Sequence, residues 1–497
     1  MARNFKGLGA AALMLGLGLD FAATAHAAAP ASSPGTALAV MQASEALASD
    51  NCAQAVKPLN LLWNDPVLES SDPDLAAQFR LRLIACTAEQ SGLREALSLS
   101  ADNITRPGSG LTAFDMHAFL LLSAQQPAAA ADTLEAAMTR FPDKAADLSD
   151  MTMLGALVQL RDSDAPRGLL LLDHAEQVHW QPHAMAARPA VGVMRVEGLR
   201  AAIAAGKADA AALYRADLKT EAFSYIISQG DGLISAADTA PADVEPMIGA
   251  QIAEAKAAVV KDPTDLSTLA YLMTLERSDG QPDPALTQLN GILALIDQYG
   301  LKNFQNQDTY GELLADRAQL MADMGRQGEA LAAFQDGAKR LEGLPSGDFY
   351  AAYAAYLVAR GDNQGAVDLV SNLDVTGFDD TQKVRLIVND ACAFGHLNDK
   401  INYASFMGVL GDPSVRVWPR LCAGDADGAA TDMVAAINQP EWRNTVILMM
   451  QTMTQGLPAS PAETSDQSAM AALKGRDDVT GAAKAASILV RSWPLRY

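Results

Sequence analysis

The sequence predicts an all-α fold, a solenoid of helix-turn-helix hairpins stacked along the chain. Three observations lead to this prediction. Residues 310–345 show the apolar spacing of two amphipathic helices around a turn. A glycine followed five residues later by an alanine recurs along the chain. Runs of β-branched residues bounded by turns are scarce, so the sequence gives strands little support.

Residues 310–345 form the clearest single hairpin of the sequence. Gly325 lies at its turn, and Pro345 ends it. The apolar positions are Leu313, Leu314, Ala318, Met321 and Met324, then Ala330, Leu331, Phe334, Ala338 and Leu341. Neither helix can bury its apolar stripe alone, so we expect a similar hairpin on each side.

The glycine and alanine pattern repeats along the chain. The pairs are Gly206 and Ala211, Gly280 and Ala285, Gly325 and Ala330, Gly361 and Ala366, and Gly424 and Ala429. Glycine can adopt the left-handed conformation of a turn, and alanine allows two helices to cross closely. Units are expected around Gly361, Gly395 and Gly424. The steps from 325 to 361 and from 361 to 395 are 36 and 34 residues, which is typical of a helical repeat.

The segment 261–295 resembles a tetratricopeptide (TPR) repeat. Pro263 matches the family's closing proline and Gly280 its turn glycine. The helix positions that match are Leu269, Leu272, Ala285, Leu289 and Ile292. The resemblance covers about two thirds of the chain after residue 27. It implies a right-handed superhelix whose concave groove binds a protein or peptide, without catalysis. Residues 417–433 also resemble uncharacterised exported helical proteins of alphaproteobacteria, which brings no function.

The sequence divides into several segments. A signal peptide is predicted at 1–27 and a flexible leader at 28–36. TPR-like repeats follow at 37–238 and at 247–455, joined by the segment 239–246. Residues 456–468 contain two prolines and three serines and are interpreted as a linker. Residues 469–497 are then expected to form one closing helix or tail.

The N-terminus has the features of a cleavable export signal. Arg3 and Lys6 precede an apolar run at 7–19, and Ala25-His26-Ala27 fits the small-residue cleavage rule. We therefore expect a periplasmic protein that begins near Ala28, with an extracellular location as the alternative. An uncleaved anchor is the other interpretation, although the run is shorter than the roughly 20 residues of a membrane span.

The chain is acidic, with a formal net charge of −22 at pH 7. This charge argues against nucleic acid and against anionic lipid surfaces as ligands. No apolar stretch after the signal is long enough to span a bilayer. The acidity is consistent with simple solubility, and it leaves a basic partner open.

The four cysteines are Cys52, Cys86, Cys392 and Cys422. An even number in an exported chain indicates two disulfides, for which three connectivities exist. We favour the sequence-local pairs, 52 with 86 and 392 with 422, because each spans about one helical repeat. Each bridge would stabilise the fold by about 3–4 kcal/mol. We expect no metal site at these cysteines, because the sequence has no C-x-x-C motif and we identify no histidine beside a cysteine pair at ligand spacing.

A histidine cluster is the only other metal candidate that the sequence suggests. His179 and His183 are four residues apart, but Pro182 between them should end any helix, and His174 faces differently. A helix end followed by a loop is the favoured interpretation. No phosphate-binding loop or nucleophile elbow occurs, so neither an enzymatic activity nor a cofactor is predicted.

The function that the sequence favours is a periplasmic, non-catalytic scaffold for a protein or peptide partner. First helices of TPR hairpins line the groove, so Tyr350, Tyr353 and Arg317 are the candidate partner contacts. Core packing is the alternative interpretation of the two tyrosines. The alternative function is a helical accessory or guiding subunit for an envelope enzyme or for assembly of peptidoglycan or exopolysaccharide.

Overall fold

The computed structural model describes residues 33–49, 51–106, 108–234, 244–454 and 460–496. These residues form two compact units that divide between His183 and Ala184, here called unit 1 and unit 2. The predicted signal peptide lies outside the described residues. Parts of the predicted leader, joint and linker also lie outside them.

Unit 1 is a succession of helices, many of which begin at a proline in the first turn. Its helices are α1 (Pro34–Ala48), α2 (Cys52–Leu62), α3 (Pro66–Ser71), α4 (Pro73–Gln90), α5 (Leu93–Ile104), α6 (Leu111–Ser123), α7 (Pro127–Arg140), α8 (Asp150–Ser163) and α9 (Ala165–Gln177). Consecutive helices pack in pairs, such as α6 with α7 and α8 with α9. Because α1 already begins at Pro34, the predicted leader 28–36 ends in a helix.

Unit 2 contains the longer part of the array. Its helices are α10 (Arg188–Ala204), α11 (Ala208–Leu218), α12 (Ala222–Gly230), α13 (Val244–Lys261), α14 (Leu266–Ser278), α15 (Pro282–Tyr299), α16 (Tyr310–Asp323), α17 (Gln327–Arg340), α18 (Gly347–Ala359), α19 (Asn363–Ser371), α20 (Asp380–His396), α21 (Lys400–Val409), α22 (Pro413–Cys422), α23 (Ala426–Ile437), α24 (Arg443–Met450), α25 (Pro461–Lys474) and α26 (Asp477–Ala485). Two short strands, β1 (Thr452–Thr454) and β2 (Ser492–Arg496), pair in parallel.

Aspartates cap several helices of unit 2 and fix where they begin. Asp265 caps α14, and Asp412 caps α22, each accepting a hydrogen bond from a backbone N–H of the first turn. Asp379 and Gln382 form a capping box at the start of α20. Such caps satisfy backbone donors that a helix leaves unpaired at its N-terminus.

The helical hairpins confirm the predicted fold class. The turn glycines at 206, 280, 325, 361 and 424 all have positive φ, between 68° and 81°. Each alanine five residues later is buried. The first helices of successive hairpins, α14, α16, α18, α20 and α22, pack one on the next. The TPR-like features of the chain are therefore a left-handed turn glycine and a close helix crossing.

Gly395 is an exception to this pattern. The sequence placed it at a turn, but it lies inside α20, and the left-handed residue of that turn is Asn398, with φ 57°. A Cβ on Gly395 would lie 3.0 Å from the backbone nitrogen of Ala423. This glycine therefore permits close packing of α20 on the end of α22.

The C-terminal region also differs from the sequence prediction. The predicted linker 456–468 overlaps α25, which begins at Pro461, and only part of it remains outside a described helix. Residues 469–497 do not form one closing helix, because α26 is followed by β2. The mixed composition of this region gives no clear pattern for its two short helices. Its strand could not be predicted locally, because the pairing partner β1 lies about 40 residues earlier in the sequence.

Unit 2 brings an early helix, α12, together with its C-terminal elements. Helix α12 packs against α24, and the Leu489 N–H donates to the Gly230 carbonyl at 2.7 Å. The Tyr225 ring meets the Trp493 ring with centroids 6.4 Å apart. Residues 184–234, which the sequence analysis grouped with the N-terminal repeats, thus belong to unit 2. The unit boundary lies at 183/184 and not at 239–246.

Within the described ranges, no helix is both long enough and apolar enough to cross a bilayer.

Candidate functional site on the first-helix face

The stacked first helices of unit 2 carry a row of polar side chains on one side. On α16 the residues Glu312, Asp316, Gln319 and Asp323 follow the spacing of one helical stripe. The opposite stripe of α16 is apolar and buried, and it includes Leu314 and Met321. On the polar stripe Glu312 is exposed, whereas Asp316, Gln319 and Asp323 are half-buried.

Arginines tie this polar row to neighbouring first helices. Arg277 of α14 bonds Asp323 of α16, with Nε 2.6 Å from Oδ2, and also bonds Gln319. Arg385 of α20 bonds Asp348 of α18, with Nη1 2.9 Å from Oδ1. We call the surface formed by Arg277, Glu312, Asp316, Gln319, Asp323, Asp348 and Arg385 the first-helix face.

Two acidic residues, Asp316 and Glu312, lie near Arg277 and Arg385 without forming an ion pair with them. The Oδ2 atom of Asp316 is fully buried and has no hydrogen-bond partner among the described residues. Burial, and then the negative charge of Glu312, raises the pKa of Asp316 to about 8, against the opposing effect of Arg277. Burial and the charge of Asp348 likewise raise the pKa of Glu312. This pair would be stabilised by an incoming positive charge.

The two candidate tyrosines lie elsewhere on α18. Tyr353 is only 8% exposed, and its ring stacks on Phe334 of α17 with centroids 4.9 Å apart. Tyr350 is half-buried and stacks on Phe378 with centroids 6.3 Å apart. These contacts match the core-packing interpretation, and neither ring belongs to the first-helix face.

Arg317 is also directed away from the first-helix face. Its Nε donates to Oδ1 of Asn290 on α15 at 2.9 Å, and its Nη1 lies 3.6 Å from Asp336 on α17. Both partners are on second helices. A role for Tyr350, Tyr353 or Arg317 in partner binding stays a prediction, and the structure does not bring the three together on one surface.

A groove between α17 and α19 includes one predicted contact residue, Tyr353. It has a volume of about 430 Å³. Its lining residues include Leu331, Gln335, Tyr353, Leu369 and Asn372. Most of the lining comes from the second helices α17 and α19, and no residue of the first-helix face contributes to it.

The cysteines are joined in the sequence-local pairing that was favoured. Cys52 is bonded to Cys86, with Cα atoms 4.9 Å apart. Cys392 is bonded to Cys422, with Cα atoms 5.1 Å apart. The second bridge has a polar neighbour that the sequence analysis missed. His396 lies four residues after Cys392, a helical ligand spacing that the absence of C-x-x-C obscured.

The histidine cluster at 174–183 has the arrangement that the sequence favoured. His174 lies in α9, which ends at Gln177, and His179 has a left-handed φ of 56°. His183 lies outside the helix, and its Nδ1 atom is 3.1 Å from Oδ1 of Asp150. The described residues at this position do not form a metal-binding group.

No protein-family model matches the sequence, and no curated protein matches it either. Among solved structures, the chain is similar to the APC/C hetero-tetramer Cut9-Hcn1, at 13% identity and a TM-score of 0.27, covering 90% of this chain and 89% of that one. The P58(IPK) TPR domain matches at 12% identity and 0.19, covering 89% and 99%. Naa15/Naa10 bound to HypK-THB matches at 11% and 0.20, covering 91% and 80%. These low scores support no conclusion about function.

Proposed function

We propose that this protein is a periplasmic, non-catalytic scaffold that binds a protein or peptide partner on the first-helix face. The observation that carries the proposal is the acidic pair Asp316 and Glu312, in which Oδ2 of Asp316 is buried without a hydrogen-bond partner among the described residues. The pair lies on a surface that several consecutive hairpins build together. A stack of hairpins offers such an extended surface without a deep pocket.

The electrostatics of the face favour a partner segment with a basic side chain. Asp323 and Asp348 already have arginine partners, whereas Asp316 has none among the described residues. The raised pKa, about 8, keeps Asp316 largely protonated at neutral pH, and a lysine or arginine placed beside it would favour the ionised form and give an ion pair. The net charge of −22 would also attract a basic partner over longer distances.

The proposed location is supported by the bridges. Two disulfides are typical of proteins that fold in an oxidising compartment such as the periplasm. The export signal itself lies outside the described residues. Identification of the mature N-terminus near Ala28 in a periplasmic fraction would support this location, and an intact Met1 in the cytosol would contradict it.

The test is a crosslinking pull-down of the mature protein from its own envelope fraction. We compare wild type with the double variant Asp316→Asn, Glu312→Gln, which keeps side-chain shape and removes the ability of both groups to ionise. Asp283→Asn, on an exposed part of α15, is the matched control. We expect a specific protein that wild type and the control retain and that the double variant loses at least tenfold.

Two results would overturn the proposal. One is a protein partner that the double variant retains fully, because the binding surface would then lie elsewhere. The other is retention on peptidoglycan or exopolysaccharide strands without any protein partner, which would favour the guiding role in envelope-polymer assembly.

The same substitution has a pH-dependent effect on folding. Because the folded pKa of Asp316, about 8, exceeds its unfolded value of 3.8, the wild type loses stability as pH rises between these values. Asp316→Asn removes this loss, so we expect it to raise the free energy of unfolding at pH 9 by about 1–3 kcal/mol. Thermal unfolding at pH 5 and pH 9 measures this, and an equal effect at both pH values would contradict the buried-charge interpretation.

A further inference from the structure

The second disulfide lies beside a histidine that is held in place. Cys392 and His396 are four residues apart on α20, so their side chains lie on one face of the helix. Cys422 ends α22, which packs directly on α20. Gly395 makes this approach possible, because a Cβ there would meet the backbone of Ala423.

The three side chains have the composition of a metal site. The sulfur atoms of Cys392 and Cys422 and a ring nitrogen of His396 all lie within 4.8 Å of one another. Within the described ranges this is the only group of three or more potential ligands that close together. Two thiolates and one imidazole are a ligand set that Zn²⁺ favours.

A carboxylate fixes the orientation of the histidine ring. Nε2 of His396 lies 3.0 Å from Oδ2 of Asp466 on α25. The His396 side chain is 17% exposed and that of Asp466 is 8% exposed. When Nε2–H donates to this carboxylate, Nδ1 keeps its lone pair, in the arrangement by which carboxylates commonly orient metal-binding histidines.

We propose that reduction of the Cys392–Cys422 disulfide creates a Zn²⁺ site formed by Cys392, Cys422 and His396, with Asp466 as the positioning residue. The disulfide and the metal site exclude each other, because a bridged sulfur is not a thiolate ligand. The fourth coordination position is left for water.

The conversion balances with a dithiol reductant, such as a thiol–disulfide oxidoreductase. The reductant's two thiols are oxidised to a disulfide, and its two electrons and two protons convert the bridge into the thiols of Cys392 and Cys422. Zn²⁺ then binds both sulfurs as thiolates, and the two protons are released to solvent. With Zn–S bonds of about 2.3 Å, the sulfurs would separate to roughly 3.8 Å, which side-chain rotation can supply.

The first disulfide is an internal control for this proposal. Cys52 and Cys86 are 4% and 0% exposed and lie in an apolar cluster with Leu59, Phe79 and Leu83. No histidine or carboxylate of the described residues completes a three-ligand group there. Reduction of this pair should therefore give thiols that bind Zn²⁺ weakly.

The experiment uses the full mature chain, reduced without metal under anaerobic conditions. Zn²⁺ is titrated in competition with a chromophoric chelator, and Co²⁺ gives the thiolate charge-transfer absorption of a cysteine-ligated metal. We expect one tightly bound Zn²⁺ per reduced chain and none per oxidised chain. The Cys52→Ser, Cys86→Ser variant should keep this site, and Cys392→Ser, Cys422→Ser should lose it.

His396→Gln tests the third ligand without altering the bridge. The oxidised variant can be checked for folding by its helical circular dichroism. After reduction we expect Zn²⁺ affinity to be at least tenfold lower than in wild type. The proposal would be overturned if reduced wild type bound Zn²⁺ no more tightly than the oxidised chain does. So would wild-type affinity in either His396→Gln or Cys392→Ser, Cys422→Ser.

Discussion

The two disulfides are nearly equal as links in the chain and unequal in their surroundings. They close sequence separations of 34 and 30 residues, and their Cα distances are 4.9 and 5.1 Å. The bridge at Cys52 is enclosed by apolar side chains. The bridge at Cys392 has His396 and, behind it, Asp466.

This difference separates two roles that cysteine spacing alone cannot distinguish. Both bridges restrict the unfolded chain to a similar extent, because the closed loops are similar in length. Only the second has a nitrogen ligand within reach once it is reduced. The sequence separation of the two cysteines therefore determines how much a bridge stabilises the fold. The helices packed around the bridge determine whether its reduced cysteines can bind a metal.

Removal of either bridge should have the largest effect. We expect Cys52→Ala, Cys86→Ala to lower the unfolding free energy of unit 1, and Cys392→Ala, Cys422→Ala that of unit 2, each by about 3–4 kcal/mol. Hydrogen exchange in denaturant, read separately for peptides of each unit, measures both changes under oxidising, metal-free conditions. An unchanged unit 1 after loss of its bridge would break the equivalence of the two bridges.

A substitution at the helix crossing beside the second bridge should have the second-largest effect on stability. Gly395→Ala places a methyl group against the backbone of Ala423, so we expect a loss of about 1–3 kcal/mol in unit 2. Gly408→Ala, in the neighbouring helix α21, has open space and is the matched control. Thermal unfolding of both variants gives the comparison, and equal stabilities would show that α20 and α22 adjust freely.

Substitution of Asp466, the carboxylate that orients His396, should have the smallest effect. In the reduced chain we expect Asp466→Asn to weaken Zn²⁺ binding about tenfold, because the ring of His396 loses its orienting partner. Asp477→Asn, an exposed change at the start of α26, should leave the affinity unchanged. Competition titration measures both constants, and identical affinities would remove Asp466 from the site.

The repeat architecture could be predicted because it depends on local rules. The turn glycines at 206, 280, 325, 361 and 424, with their buried alanines, report backbone conformation and helix crossing within a few residues. The cysteine pairing followed from the same short range. Gly395 was misread because a glycine that permits close packing and a glycine that permits a turn look alike in a sequence.

The candidate site was harder to predict because side-chain direction depends on register within the stack. Tyr353 and Arg317 are on first helices, as expected, yet their side chains contact second helices. Asp316 was not predicted as a site residue, since an isolated aspartate on a helix is usually solvated. The burial of its unpaired Oδ2 atom follows only from the packing of α14, α16 and α18 around it.

The meeting of α12 with α24 and β2 has a consequence for how unit 2 folds. In an open array each repeat depends on its neighbours alone, and the ends can fray independently. Here the contacts of Tyr225 and Gly230 require residues more than 200 positions later, such as Trp493 and Leu489. Unit 2 should therefore fold slowly and complete its first helices only after its last residues have emerged from the ribosome or the translocation channel.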